Sequence, residues 1–398
     1  MRNANALCFF FVISLLPSAA FAQTPDPTLE APPTVEAAPV ETPPAEPEPE
    51  EEESALHITG YIQAQLRTER GFEDDNLTYF EVRRGQLKFV YDIDHGQFML
   101  QVSATPAGVA IRDAEATLQV RALDWLDIDL TGGLFKIPFM FDTLQSSADR
   151  WWPERTLVAR RLFPGERDIG VRVVGTALDR HLRVQLALLN GMPPLGDGYR
   201  ADFTPRFEPD RHKDFVARIS VNVDDLEFAL SGTVGTGFLP EVEDDPMTPM
   251  VDESSPENDF SRWAVGGMIR RVQEIPSLGD LDATAEILFA RNLARSSLAD
   301  YPTRLIASLG GDVLDRDVFA WYIGVLQHLG EYFAAGVRFD QYDAEGGPTQ
   351  NRLNITALAF PTEASRLTLS YELDLDADGD HVGSRNDNQG WLRMQVRF

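Results

Sequence analysis

The chain is nearly without cysteine: Cys8 stands alone among 398 residues. It lies in the apolar opening stretch, so everything beyond that stretch lacks both a disulfide framework and a thiol nucleophile. Long apolar runs are also missing. After residue 22 no segment approaches the roughly eighteen unbroken apolar residues that a membrane-spanning helix requires. Histidine is sparse, and His57, His95, His181, His212, His328 and His381 are scattered without a pair at zinc-ligand spacing. There is no Gly-x-Ser-x-Gly elbow and no P-loop, and GTVGTG at 232–237 has the wrong spacing for a dinucleotide fingerprint. No nucleophile stands beside a base, so an enzyme ranks last among the readings, and no cofactor or metal is expected. Basic residues are outnumbered, 35 against 63 acidic ones for a net charge of −28, which argues against nucleic acid as a partner.

What is present begins with MRNANALCFFFVISLLPSAAFA. Arg2, the apolar run Leu7 to Leu16, and the small residues Ala20 and Ala22 predict a secretory signal peptide over 1–22. A lipidated cysteine would follow such a run, whereas Cys8 opens it. Residues 23–54 are rich in Pro, Glu and Ala, with ten acidic residues, no basic residue and no aromatic one. That composition cannot bury enough surface to offset chain entropy and predicts a disordered, extended tether. Without residues 1–54 the chain still carries 53 acidic against 34 basic residues.

From residue 55 to 398 the dominant pattern has a period of two. Sixteen segments carry it: 57–67, 79–91, 97–104, 111–122, 125–136, 168–178, 181–190 and 214–223, then 226–236, 260–272, 281–292, 317–328, 331–343, 352–360, 366–375 and 388–398. In the second of these the alternation breaks near Arg84 and Gly85. One face is Leu, Val, Ile, Phe and Ala; the other carries charge in nearly every segment. A soluble sandwich would have to bury those charges. Short connections alternate with long ones such as 137–167, 191–213, 237–259 and 293–316. Together these features predict an all-β fold, a transmembrane antiparallel up-and-down β-barrel of about sixteen strands with a polar lumen. Its final strand ends in Phe398, which resembles the terminal signature of bacterial outer-membrane barrels, and the outer membrane is the expected location. Residues 23–54 then become a periplasmic tether.

Arginine dominates the cations: beyond the signal, Lys88, Lys136 and Lys213 are the lysines, against thirty-one arginines. The period of two turns Arg67, Arg121, Arg172, Arg183, Arg218, Arg338, Arg352, Arg393 and Arg397 inward, and guanidinium forks suit phosphate or carboxylate. Asp113, Glu115, Asp127, Asp129, Glu227, Glu286, Glu372 and Asp374 turn inward by the same count. A wall stiffened by crossed ion pairs and an anion-attracting path are thus both open. DLDADGDH at 374–381 begins like a calcium loop, but Arg385 stands where the closing glutamate belongs, so a solvated loop is the better reading. The acidic segment 241–259 reads as another polar loop.

FKIPF at 135–139, then WWPERTLVARRLFPGERDIGVRV at 151–173, resembles the phosphate-selective porin O and P family. The matching residues are Lys136, Pro138, Phe139, Glu154, Arg155 and the run from Arg167 to Val171, with GYIQAQ at 60–65, Arg83, Arg84, Asn190 and Gly191 also fitting. The resemblance covers roughly 57–398, with its specific motifs in the first half. It implies a sixteen-stranded, trimeric diffusion channel whose long loop after the fifth strand folds inward as a constriction. Arg155, Arg160, Arg161 and Arg167 of that loop, with Arg121, Arg172 and Arg183 on nearby strands, would then face small hydrophilic solutes or inorganic anions such as phosphate. The alternative for this segment is a loop packed at the rim, with Trp151 and Trp152 at the membrane interface. The alternative for the whole chain is a non-conducting structural or adhesive barrel whose tether binds a periplasmic partner.

Overall fold

Side chains of alternating character form strands whose two faces meet different surroundings. In the last strand Leu392, Met394 and Val396 are 51%, 50% and 46% exposed, while Arg393 and Gln395 are 3% and 1% exposed. The computed structural model describes residues 55–70, 76–106, 108–163, 166–191, 213–238, 259–293, 317–345, 349–375 and 388–398. The signal and tether segments, and most of 241–259 and 374–381, lie outside them.

The chain runs through β1 (Leu56–Arg70), β2 (Asn76–Ile93), β3 (Gly96–Thr105), β4 (Gly108–Leu123) and β5 (Leu126–Lys136). Two short helices follow, α1 (Phe141–Leu144) and α2 (Leu157–Leu162). Next come β6 (Arg167–Ala177), β7 (Leu182–Leu189), β8 (Asp214–Val223), β9 (Leu226–Phe238), β10 (Asp259–Ile275) and β11 (Gly279–Arg291). The last five are β12 (Asp317–Leu329), β13 (Phe333–Ala344), β14 (Gln350–Thr362), β15 (Ser365–Asp374) and β16 (Gln389–Arg397). Each strand pairs antiparallel with its chain neighbours, and β1 closes onto β16 from Tyr61 opposite Arg397 to Glu69 opposite Gln389. Closure leaves no strand edge with unpaired backbone groups, the condition for a sheet to stand in lipid. The sixteen-strand barrel read from the alternation is the observed fold.

Seven connections of two to four residues lie at the end that also holds Leu56 and Phe398. Left-handed φ at Asp224, Ser277 and Gly330 is what tight hairpin turns demand. The connections at the opposite end are longer, except for the two residues between β3 and β4. Two bulges interrupt the ladder in the wall that matters most below. Gln63 and Ala64 pair with Arg84 and Val82, leaving Arg83 as an extra residue, and Gln101 and Val102 pair with Asp113 and Ile111, leaving Arg112 extra. A bulge lets two consecutive side chains share one face.

The apolar core lies inside the barrel. Phe139, Leu157, Leu162 and Phe163 of the segment between β5 and β6 pack on inward-facing Ala264, Leu288, Ala290, Val318 and Ala320. Strands β10 to β13 therefore carry an apolar patch on their inner faces as well as an apolar outer face, with Asp282, Glu286, Arg338 and Asp340 buried beside that patch.

Candidate functional site

Residues 137–166 leave the loop end of the barrel and turn into it, except that 164 and 165 are outside the described residues. The Phe139 and Phe163 rings stack with centroids 4.8 Å apart, clamping the two limbs of the excursion together. Each buried side chain of this size contributes about 1.5–3 kcal/mol. The backbone amides of Phe141 and Asp142, at the start of α1, donate to the Glu286 carboxylate on β11. The chain then crosses to the barrel seam, where Gln63 Nε2 donates to the Ser147 carbonyl at 3.0 Å and Gln395 Nε2 to the Ala148 carbonyl at 2.9 Å.

Beyond that crossing, Trp151 reaches toward the turn end, its indole donating to Asp282 at 3.2 Å and its ring edge-on to His328. Trp152 is buried under Arg338, and a Cβ at Gly324 would stand 2.8 Å from its Cη2, so β12 has room for the ring only because residue 324 is glycine. Neither tryptophan stands at the membrane rim. The segment returns through α2, whose first turn is capped by Thr156 Oγ1 accepting from the Ala159 amide.

Charge locks the excursion in place. Arg83 donates through Nε and Nη2 to both Glu154 oxygens at 3.0 Å, Arg393 donates to Oε1 at 3.1 Å, and Arg84 stands 3.7 Å from Oε2. Burial pushes the Glu154 carboxyl up, but Arg83 and Arg84 hold it well below the ordinary glutamate range. Arg155 forks onto Glu166 and also meets Asp142 at 3.9 Å. Burial likewise pushes Glu166 up, and Arg155 overrides it downward. The β13 residue Arg338 donates to the carbonyls of Glu154 and Arg155. Among the described residues, Arg150 is buried with no hydrogen-bond partner on any guanidinium nitrogen and has Asp142 at 4.0 Å; burial lowers its pKa to about 9.

The lumen left beside this segment is a cavity of about 570 Å³ between the inner faces of β2 to β9 and the outer face of residues 141–149. Arg84, Lys88, Arg112, Lys136, Arg167, Arg172, Arg183 and Arg218 line it, as do Asp113, Glu115, Asp149, Glu166 and Glu227. Eight cations against five carboxylates leave an excess of three positive charges in a chain of net charge −28. Several are neutralised locally: Arg167 forks onto Asp113 at 2.8 and 3.0 Å, Arg172 meets Glu115 at 3.0 Å and Arg218 meets Glu227 at 3.1 Å. Lys88 and Arg183 have no carboxylate within 4.0 Å among the described residues.

Of the residues singled out from the sequence, Arg167, Arg172 and Arg183 come together at this cavity. Arg155 is buried in its clamp with Glu166; Arg160 pairs with Glu372 at 3.0 Å and Arg161 donates to Gln350, both on the far side of the segment. Arg121 is exposed at the turn end beside Asp127. Sequence reasoning did not single out Lys88, Lys136, Arg84 or Arg112 for the path. Strict alternation turns Arg112 outward, and only the bulge brings it in. The broken alternation of YFEVRRGQLKFVY was the available signal for the other bulge.

No family model matches the chain, and no curated protein matches it in sequence. Solved structures do match. The outer membrane channel DcaP of Acinetobacter baumannii aligns with TM-score 0.57 at 11% identity, covering 86% of this chain and 97% of that one. The anion-selective porin from Comamonas acidovorans aligns with TM-score 0.56 at 9% identity, covering 87% and 100%. The trimer form of OmpT, an outer membrane protein of Vibrio cholerae, aligns with TM-score 0.52 at 10% identity, covering 86% and 99%. At these identities the likeness is one of fold, and it does not single out the phosphate-selective branch that the sequence motifs resemble. The chain has the fold of the bacterial outer-membrane porins.

Proposed function

We propose that the chain is an outer-membrane porin, a passive channel for small hydrophilic solutes with a preference for anions. The observation that carries the reading is the cavity, cation-rich within an acidic protein, with Lys88 and Arg183 left uncompensated. Positive charge on a narrow low-dielectric wall concentrates anions and excludes cations. The apolar outer face of the closed barrel supports insertion in the outer membrane with the short turns periplasmic. Likeness in fold to a trimeric porin supports a homotrimer, and the motif resemblance makes phosphate an anion to test. The packed interior segment favours the second reading, a non-conducting barrel.

Reconstitution of the full chain in a planar bilayer under a KCl gradient separates them. The expected result is an open channel whose reversal potential lies toward the chloride equilibrium value. Repeated reconstitution without conductance sinks the porin reading, and a reversal toward potassium sinks the anion preference.

A further inference from the structure

The cavity is chemically two-sided. Along the barrel wall stand Lys88 and Arg183, while the interior segment presents Phe141 and Leu144 beside the polar Gln145, Ser146, Ser147, Asp149 and Glu166. Helix α1 is inverted relative to an ordinary lumen-lining helix: it buries Asp142 and Thr143 and leaves its apolar residues part-exposed to the cavity. Phe141 is also held in place, because the Arg270 guanidinium covers its ring at 5.0 Å. A third apolar group comes from the wall. Met99 faces inward on β3, in register two residues from Gln101, the direct partner of Lys88, so a thioether side chain and an ammonium are diagonal neighbours on one inner face.

A path for water and inorganic ions gains nothing from apolar surface, because water against it forms fewer good hydrogen bonds than water against Ser or Gln. A solute with an apolar body displaces that water, and a carboxylate on the same solute meets Lys88 and Arg183 through charge-assisted hydrogen bonds. We propose that this channel selects organic anions bearing an apolar body, aromatic or branched aliphatic, over inorganic anions of equal charge. The proposal rests on the anion-channel reading and narrows it: the head group is bound by the wall, and the body by Phe141, Leu144 and Met99.

The test uses the full chain in a planar bilayer, with chloride current recorded while benzoate, acetate, benzyl alcohol or inorganic phosphate is added. Benzoate and acetate share a charge and differ in the apolar body; benzyl alcohol keeps the body and lacks the charge. Benzoate is expected to interrupt the current at a half-blocking concentration about tenfold lower than acetate, the increment that burial of a ring-sized apolar surface supplies. Benzyl alcohol and phosphate block more weakly than benzoate. In Met99→Gln and, separately, Leu144→Gln, the ratio of acetate to benzoate half-blocking concentrations falls toward one; taking a ratio within each variant cancels any change in conductance. Lys88→Gln weakens both acids alike. Equal block by acetate and benzoate, tighter block by phosphate, or an unchanged ratio in both apolar variants overturns the proposal and leaves the anion-channel reading standing. A cation-selective reversal potential fails that reading instead.

Discussion

The Glu154 carboxylate meets arginines from either side of β1, Arg83 and Arg84 from β2 and Arg393 from β16. Removing one member of a buried ionic cluster leaves the others uncompensated. Glu154→Gln is therefore expected to destabilise the barrel by about 3–5 kcal/mol, read as a lower temperature for loss of the folded form's gel mobility. Gly324→Ala pushes a methyl into the Trp152 ring; its cost is expected at about 1–3 kcal/mol, by the same measurement. The pH response follows from the depressed carboxyls. Glu154 and Glu166 both have folded values below the unfolded one of about 4.3. Their stabilisation is fully present above that value and is lost as pH falls through the lower folded values. The stability difference between the wild type and Glu154→Gln should hold steady from pH 7 to 5 and shrink only in stronger acid; a difference that shrinks near pH 6 would contradict this. At this scale the sequence was least legible, because pairing depends on which strand faces which. Arg155, Arg160 and Arg161 were visible as a basic cluster, but nothing in their spacing shows that Glu166, Glu372 and Gln350 meet them.

The bulge at Arg112 makes the cavity wall more basic than alternation allows, and the bulge at Arg83 turns a further arginine of β2 onto Glu154. Each is one residue longer than its partner strand, so deleting the extra residue restores regular pairing. Deletion of Arg112 is expected to give a barrel that folds, with a reversal potential shifted toward zero. Deletion of Ala285 from the bulge-free β11 forces a register slip that turns Glu286 or its neighbours to lipid. Its expected outcome is loss of the folded form on a heat-modifiable gel. All sixteen strands were legible because a period of two survives sequence noise over ten residues. The apolar inner wall was written in β10 to β13 as well, in stretches such as WAVGGMI and VFAWYIGVL, which are apolar on both faces. Period alone cannot tell a face turned to lipid from one turned to a packed segment, so the core inside the barrel was not read. The inward course of residues 137–166 was reached through the family resemblance.

Over the whole molecule, net charge and the formal charge lining the cavity have opposite sign. Residues 23–54 alone carry ten of the acidic residues, so bulk charge is a poor guide to what the cavity attracts. Fields from uncompensated lumen cations are screened by salt over about 10 Å at 0.1 M and about 3 Å at 1 M. Anion preference should be marked in 0.1 M KCl and shrink toward no preference at 1 M; a selectivity independent of salt would mean that a size filter, not charge, sets it. The seam between β1 and β16 carries a further consequence. Gln63 on the first strand and Gln395 on the last both hold the backbone at Ser147 and Ala148, halfway along the interior segment. The sheet is closed only where β16 pairs with β1, and the two glutamines that stand on those strands also meet each other there, Gln63 Nε2 donating to Gln395 Oε1 at 2.7 Å. Fastening the wall and holding what it encloses thus share the same side chains, so a change that loosens the seam also loosens the filling.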